Sequence, residues 1–186
     1  MSHDDATREP DAIDTTRDPG DIDIDIDLDI VVDIDVSAPP CEVWNVIWDL
    51  DRYGEWNPEC VEAQWTNGAS GPAVGACFLG RNRLNGRTWT VRCHIIECTP
   101  PTQVCWTVGD PTFASSTWTY TITPTANGCL VSERFVHGPG NSGIKNMIRD
   151  DPENASRIVA VREQMLKNNI ATGLQAIAVL AETGRG

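Results

Sequence analysis

From Ile22 to Val36 the chain reads IDIDIDLDIVVDIDV, with an apolar residue at every even position and Asp at every odd one except Val31. A period of two puts the apolar side chains on one face of a strand, whereas a helix would scatter the Asp residues around its circumference. A shift by two leaves the pattern almost unchanged, so the repeat fixes its own pairing register weakly. Ile30–Val36 is expected to be the anchored part, with Ile22–Leu28 running on along a sheet edge. Same-face Asp residues lie roughly 6.5–7 Å apart there. That ladder lacks the glycines and carbonyls of a calcium loop, and it reads as a solvated edge that discourages aggregation.

The pattern then changes period. Ser37 and Pro39-Pro40 open a helix on which Val43, Ile47 and Leu50 repeat at four and three, flanked by Trp44 and Trp48 as core residues. Asp51 is expected to cap a shorter helix from Tyr53 to Trp56, stopped by Pro58. Six more strands follow, near 59–66, 74–81, 86–97, 102–108, 113–123 and 128–136. Turn signals such as Asn67-Gly68, Asn85-Gly86, Pro100-Pro101 and Asn127-Gly128 separate them and imply antiparallel pairing.

After Phe135 a Gly-rich stretch holds one helical turn, and residues 137–151 are expected to form a mobile lid. Asp150 or Asp151 is expected to cap a final helix running to Glu182. Its stripe is Leu166, Ile170, Leu174, Ile177 and Ala181, extended by Ile158, Val161 and Met165. Gly173, in mid-helix, implies a close approach to the sheet.

Charge changes the picture at one end only. The net charge is −13, and residues 1–35 carry −11 of it as twelve Asp and one Glu against two Arg. Residues 1–21, poor in apolar side chains, read as a disordered acidic arm, and 22–186 as a single domain. Without a basic stripe the chain suits neither nucleic acid nor an anionic membrane surface. The N-terminus lacks a signal-peptide pattern and no apolar run approaches bilayer length, so a cytoplasmic address is expected. Seven cysteines, an odd number without a CxxC pair, read as reduced and structural.

The stretch Val36–Pro58, VSAPPCEVWNVIWDLDRYGEWNP, resembles the opening of START-like (SRPBCC, Bet v 1-like) domains, within them the polyketide cyclase/dehydrase-like group. The resemblance extends over about Ile30 to Thr183. It implies an α+β helix-grip fold: a curved seven-stranded antiparallel sheet around a long C-terminal helix, two short helices after the first strand, and an apolar central cavity.

In such a sheet each strand turns one face inward. Alternation assigns Trp89, Val91, Cys93 and Ile95 inward, with His94 outward as a surface residue unless a bulge intervenes. Val104, Trp106 and Val108 point in, as do Trp118, Tyr120 and Ile122. Val131, Glu133 and Phe135 share the inner face of the last strand, which places a carboxylate among apolar neighbours. An inward charge must be paired, hydrated or protonated. Glu133 is thus a candidate general acid or base, or a structural partner of an arginine; Tyr120 is the second catalytic candidate. The ligand-binding candidates are Asn82, Trp89, Val91, Val104, Trp106, Trp118, Tyr120, Ile122, Val131, Glu133, Phe135, Met165 and Ile170. Arg81 and Arg83 read as solvated, and Asn57 as tying down a turn. There is no nucleophile elbow, phosphate loop, dinucleotide fingerprint or HExxH, so neither cofactor nor metal is expected.

Three functions fit. The first is a carrier of a hydrophobic, aromatic or polycyclic small molecule. The second, implied by the resemblance, is a polyketide cyclase or dehydratase working by proton transfer and substrate positioning. The third is a protein-interaction or stress-response module.

Overall fold

The computed structural model describes residues 24–184; the expected acidic arm and Ile22 lie outside the described residues. In chain order the elements are β1 (Asp29–Val36), α1 (Pro40–Trp48), a 3-10 turn (Leu50–Arg52), α2 (Tyr53–Trp56), β2 (Cys60–Thr66), β3 (Cys77–Leu84) and β4 (Arg87–Thr99). There follow β5 (Gln103–Val108), β6 (Ser116–Thr125), β7 (Gly128–His137), α3 (Gly143–Asp150), a second 3-10 turn (Pro152–Asn154) and α4 (Ala155–Thr183). The seven strands form one antiparallel sheet in the order β1-β7-β6-β5-β4-β3-β2. The 29-residue α4 lies against β1 and α1, completing the helix-grip arrangement.

Local chemistry explains the joints. Asn85 and Gly86, both at positive φ, join β3 to β4 through the two-residue hairpin loop that this pair of residues favours. Asn57 Oδ1 accepts from the backbone N–H groups of Glu59 and Cys60 at 3.1 and 2.7 Å, holding the turn into β2. All seven cysteines are free.

Several expectations fail for identifiable reasons. The β1 ladder starts only at Asp29, because β7 ends at His137 and its chain then turns away. Ile26 and Leu28 are therefore buried core residues rather than a sheet edge. Asp51 lies inside the first 3-10 turn and caps nothing; Arg52 holds the cap position of α2 and clasps Glu55 at 2.7–3.0 Å. Neither Asp150 nor Asp151 caps α4, since the turn at Pro152 intervenes; the Asp151 carboxylate accepts from Asn154 Nδ2 instead. On α4 the stripe from Leu166 to Ala181 is buried, but Val161 is 52 % exposed. Arg162 turns inward in its place, about 100° further round the helix. Gly173 faces Trp56 and Pro58 rather than the sheet, and a Cβ there would meet them at 3.4–3.9 Å, an ordinary packing distance, so the close approach to the sheet expected of this glycine is not what it serves.

The stretch before α3 is closely fitted to the rest of the fold. Gly138 and Gly140 donate to the Ser115 and Ala114 carbonyls at 2.9 Å. A Cβ on either glycine would sit 2.2–2.3 Å from a backbone oxygen of Phe113 or Ala114. These glycines serve close contact. The helix itself runs eight residues, longer than the single turn expected from sequence.

Candidate functional site

Register places the candidate residues on one face of the sheet. The cross-strand pairs are Asn82 with Trp89, Gly80 with Val91, Ile95 with Trp106, Val104 with Tyr120, Trp106 with Trp118, Trp118 with Phe135 and Tyr120 with Glu133. The single irregularity of the β4–β5 ladder falls between Ile95 and Glu97, beyond His94, so alternation holds where it matters. His94 is outward and lies beside Cys77, with Sγ 3.3 Å from Nδ1.

The lining is graded. Val104, Trp106, Tyr120, Ile122, Val131, Glu133, Phe135 and, from α4, Ile170 are buried. Asn82, Trp89, Val91 and Trp118 are half-buried, and the register gathers all four at one end of the sheet, together with His137. We refer to that end as the mouth of the candidate site. Met165 is half-buried and takes no part in the core, whose inward position there belongs to Leu166.

Aromatic rings make most of the wall. Trp106 stands 5.8 Å from Tyr120 and 6.4 Å from Trp118 in stacked geometry, and Trp118 meets Phe135 edge-on at 4.8 Å. Trp48 enters from α1, 6.0 Å from Trp106 and 5.5 Å from Trp65. Such pairs contribute about 0.5–1.5 kcal/mol each beyond their buried area. Within this wall the Trp48 Nε1 donor is buried without a hydrogen-bond partner, and the buried Tyr120 hydroxyl faces Glu133.

Glu133 is the electrostatic centre of the interior. It is 5 % exposed, and burial raises its pKa from 4.5 to about 8, an effect the nearby Tyr120 hydroxyl partly opposes. The carboxyl group is therefore mostly protonated at neutral pH and can both donate and accept. The expected alternative, a pairing with arginine, is not realised: Arg162, the arginine that α4 turns inward, pairs with Glu59. Tyr53 also reaches this group; burial raises its pKa, and the charges of Cys60 and Glu133 raise it further. Its place in the site escapes sequence reasoning, because the irregular turn before α2 hides which way it faces.

At the mouth, Glu59 receives Arg162 in a two-pronged ion pair at 2.8 and 2.9 Å, with Asn169 Nδ2 at 3.3 Å. His137 Nε2 lies 3.0 Å from Ser142 Oγ, and Ser142 also caps α3 by accepting from the Lys145 N–H. Burial and the positive charge of Lys145 lower the His137 pKa to about 4, so the ring is neutral at pH 7. Lys145 is itself buried on the inner face of α3, between Ile144 and Ile148. A Lys in phase with two isoleucines is the signal the sequence held for it.

On the outer side of the sheet a groove of about 470 Å³ runs between α2 and strands β2–β4. It is lined by charged side chains such as Asp51, Glu55, Arg81 and Arg83, and the Arg81–Glu62 pair beside it is exposed. Its polar, open character separates it from the apolar interior.

An antiparallel sheet gripping a long helix, with one neutralised carboxyl among aromatic rings, defines a helix-grip domain of the START-like class. The family model for polyketide cyclase/dehydrase and lipid transport matches residues 27–182, and the chain belongs to that family. Among solved structures, the polyketide-cyclase-like protein Cgl2372 from Corynebacterium glutamicum is 27 % identical, with a TM-score of 0.64 over 87 % of this chain and 95 % of that one. The di-domain aromatase/cyclase StfQ of the steffimycin biosynthetic pathway is 15 % identical with a TM-score of 0.65, over 83 % of this chain and half of that one. TTHA0849 from Thermus thermophilus is 11 % identical with a TM-score of 0.61, over 86 % of this chain and all of that one. The last two likenesses speak to fold alone. No curated protein matches the chain. Among the described residues no helix is long and apolar enough to cross a membrane, and no cluster of His, Cys, Asp and Glu could hold a metal ion.

Proposed function

We propose that the chain binds a hydrophobic small molecule with an aromatic or polycyclic body between the sheet and α4, and serves as its carrier. One observation supports this reading: Glu133, protonated at neutral pH, lies beside the buried Tyr120 hydroxyl inside an otherwise apolar aromatic wall. A ligand carbonyl or hydroxyl at that point would satisfy both groups, while its body exchanges water for ring contacts at about 25 cal/mol per Å². The family, which includes lipid transport in its description, supports the same reading.

The same carboxyl supports a second reading, a cyclase or dehydratase in which Glu133 transfers a proton and Tyr120 orients the reacting oxygen. A pKa near 8 leaves both protonation states accessible around neutrality, as general acid–base catalysis requires. Native mass spectrometry of the purified protein, before and after denaturation, tests for a bound molecule. A stoichiometric apolar adduct supports the site, and a bare mass after incubation with hydrophobic extracts opposes it. Glu133→Gln then separates the readings: a catalyst loses turnover at near-unchanged affinity, whereas a carrier has no turnover to lose.

A further inference from the structure

The interior of the site is uncharged at neutral pH, but its mouth is not. Lys145 is only 6 % exposed and sits on the inward face of α3 between Ile144 and Ile148. Its Nζ donates to the Pro139 carbonyl at 2.6 Å, and among the described residues no carboxylate pairs with it. An ammonium can donate more than once, and a buried cation without an anionic partner is costly.

The neighbouring groups do not supply that partner. Arg162 already consumes Glu59. His137, the last residue of β7, is held by Ser142 and carries no negative charge, and Asp25, whose charge acts on that imidazole, makes no ion pair with Lys145. In the same turn the Asn141 Oδ1 atom is buried and unpartnered, an amide that can present either an oxygen or an NH₂ group. Trp118, which would flank an entering ligand, has its indole N–H turned to Ser116 Oγ at 3.2 Å, leaving its ring for apolar contact. This end of the sheet thus brings a buried cation, Lys145, close to His137 and the inward aromatic row that ends in Phe135 and Trp118.

We propose that the ligand carries a single terminal acid group, such as a carboxylate, whose anionic oxygens accept from Lys145 Nζ while the apolar body lies against Trp118, Trp106 and Phe135. This rests on the binding reading above and adds the polarity and orientation of the ligand: acid group outward, oxygen function inward at Tyr120 and Glu133. Protonated Glu133 permits that orientation, because an ionised carboxylate deep in the site would repel an acid. A charge-assisted hydrogen bond in a water-poor mouth corresponds to about a tenfold preference for an anionic over a neutral guest of equal body.

Two probes with the same anilinonaphthalene body test this: 8-anilinonaphthalene-1-sulfonate, which is anionic, and N-phenyl-1-naphthylamine, which is neutral. Fluorescence titration of the full chain should give at least about a tenfold tighter Kd for the anion. Lys145→Met should collapse that ratio toward one, and Lys145→Arg should retain most of it. Both dyes binding wild-type protein equally overturns the acid-group proposal while leaving the binding site standing. A preference that survives in Lys145→Met, with the variant's melting transition intact, overturns the assignment to Lys145. If Lys145→Met does not fold, the wild-type ratio and the Lys145→Arg ratio still decide. Binding of neither dye overturns the site itself, and the proposal with it.

Discussion

Glu133 and His137 stand four residues apart on the same inward row of β7, roughly 13 Å from one another along the strand, and burial acts on them in opposite directions. It raises the carboxyl to about 8 and lowers the imidazole to about 4. The chemical result is the same: both side chains are predominantly neutral at pH 7. Charge at the mouth comes instead from α3 and α4, as Lys145 and as the Glu59–Arg162 pair. The sheet supplies neutral polar groups to the interior and the helices supply ions to its rim. A strand pointing into a core cannot hold charge cheaply, whereas at the sheet's end Arg162 reaches Glu59 and Lys145 reaches the Pro139 carbonyl.

The two titrations have opposite linkage. A carboxyl whose folded pKa lies above 4.5 contributes no penalty below that pH and lowers stability as pH rises from about 4.5 to about 8. An imidazole whose folded pKa lies below 6.5 does the reverse. Its neutral state costs nothing above that pH, and stability is lost as pH falls from about 6.5 to about 4. In the overlap the slopes oppose each other.

The largest expected effect is at the deep end. Glu133→Gln should stabilise the protein at pH 9 by up to roughly 4–5 kcal/mol, since each tenfold change in proton affinity is worth about 1.4 kcal/mol, and leave pH 4 nearly unchanged. Urea midpoints at the two pH values check this; equal displacements at both would remove the deep half of the contrast. At the mouth, Gly140→Ala places a Cβ 2.3 Å from the Phe113 carbonyl oxygen, and should cost about 2–3 kcal/mol while loosening amides 138–142 in hydrogen exchange. In the wild type, Gly138 and Gly140 amides exchanging as fast as an open loop would show that the segment is a free lid and not a fitted wall. Glu59→Gln should cost about 2 kcal/mol, since its carboxylate is only 14 % exposed and Arg162 loses its partner. At neutral pH the smallest effect is that of His137→Asn, which should remove the loss of stability between pH 6.5 and 4, leave the Glu133 slope unopposed between about 4.5 and 6.5, and change nothing above pH 6.5. Unaltered pH dependence would place the imidazole in solvent.

Alternation made the wall of the site legible. Trp106, Tyr120, Val131, Glu133 and Phe135 all face inward because a strand's period is fixed by geometry and the β4 irregularity lies past the residues in question. What escaped depended on irregular turns and on one contact between distant segments. Tyr53 is set by the 3-10 turn before α2, Arg162 is turned inward by Glu59 more than a hundred residues earlier, and Lys145 is positioned by the Pro139 carbonyl. Helix starts failed for a related reason: Asp51 and Asp151 have the right chemistry for caps, but short 3-10 turns displaced the helices by a few residues. On α4 the extension through Val161 and Met165 followed apolar residues, while the fold followed the angle that brings Arg162 to its partner.

The Asp-Ile repeat ends at a mechanical stop. A Cβ on Gly128 would sit 2.0 Å from the Val36 carbonyl oxygen, Cys129 Sγ reaches the Ala38 carbonyl at 3.3 Å, and the Ser37 N–H donates to Glu182 at 2.8 Å. With β1 fastened at its downstream end, the segment that leads into it, residues 24–28, keeps the same alternation of buried and exposed residues. Removing Asp25-Ile26 would slide Ile24 into the vacated buried position with its chemistry unchanged, whereas removing Asp25 alone would send an Asp toward the Ile24 position and invert the alternation from there. Deletions counted in pairs therefore keep the inward–outward alternation of residues 24–30, and a single deletion reverses it upstream of the cut.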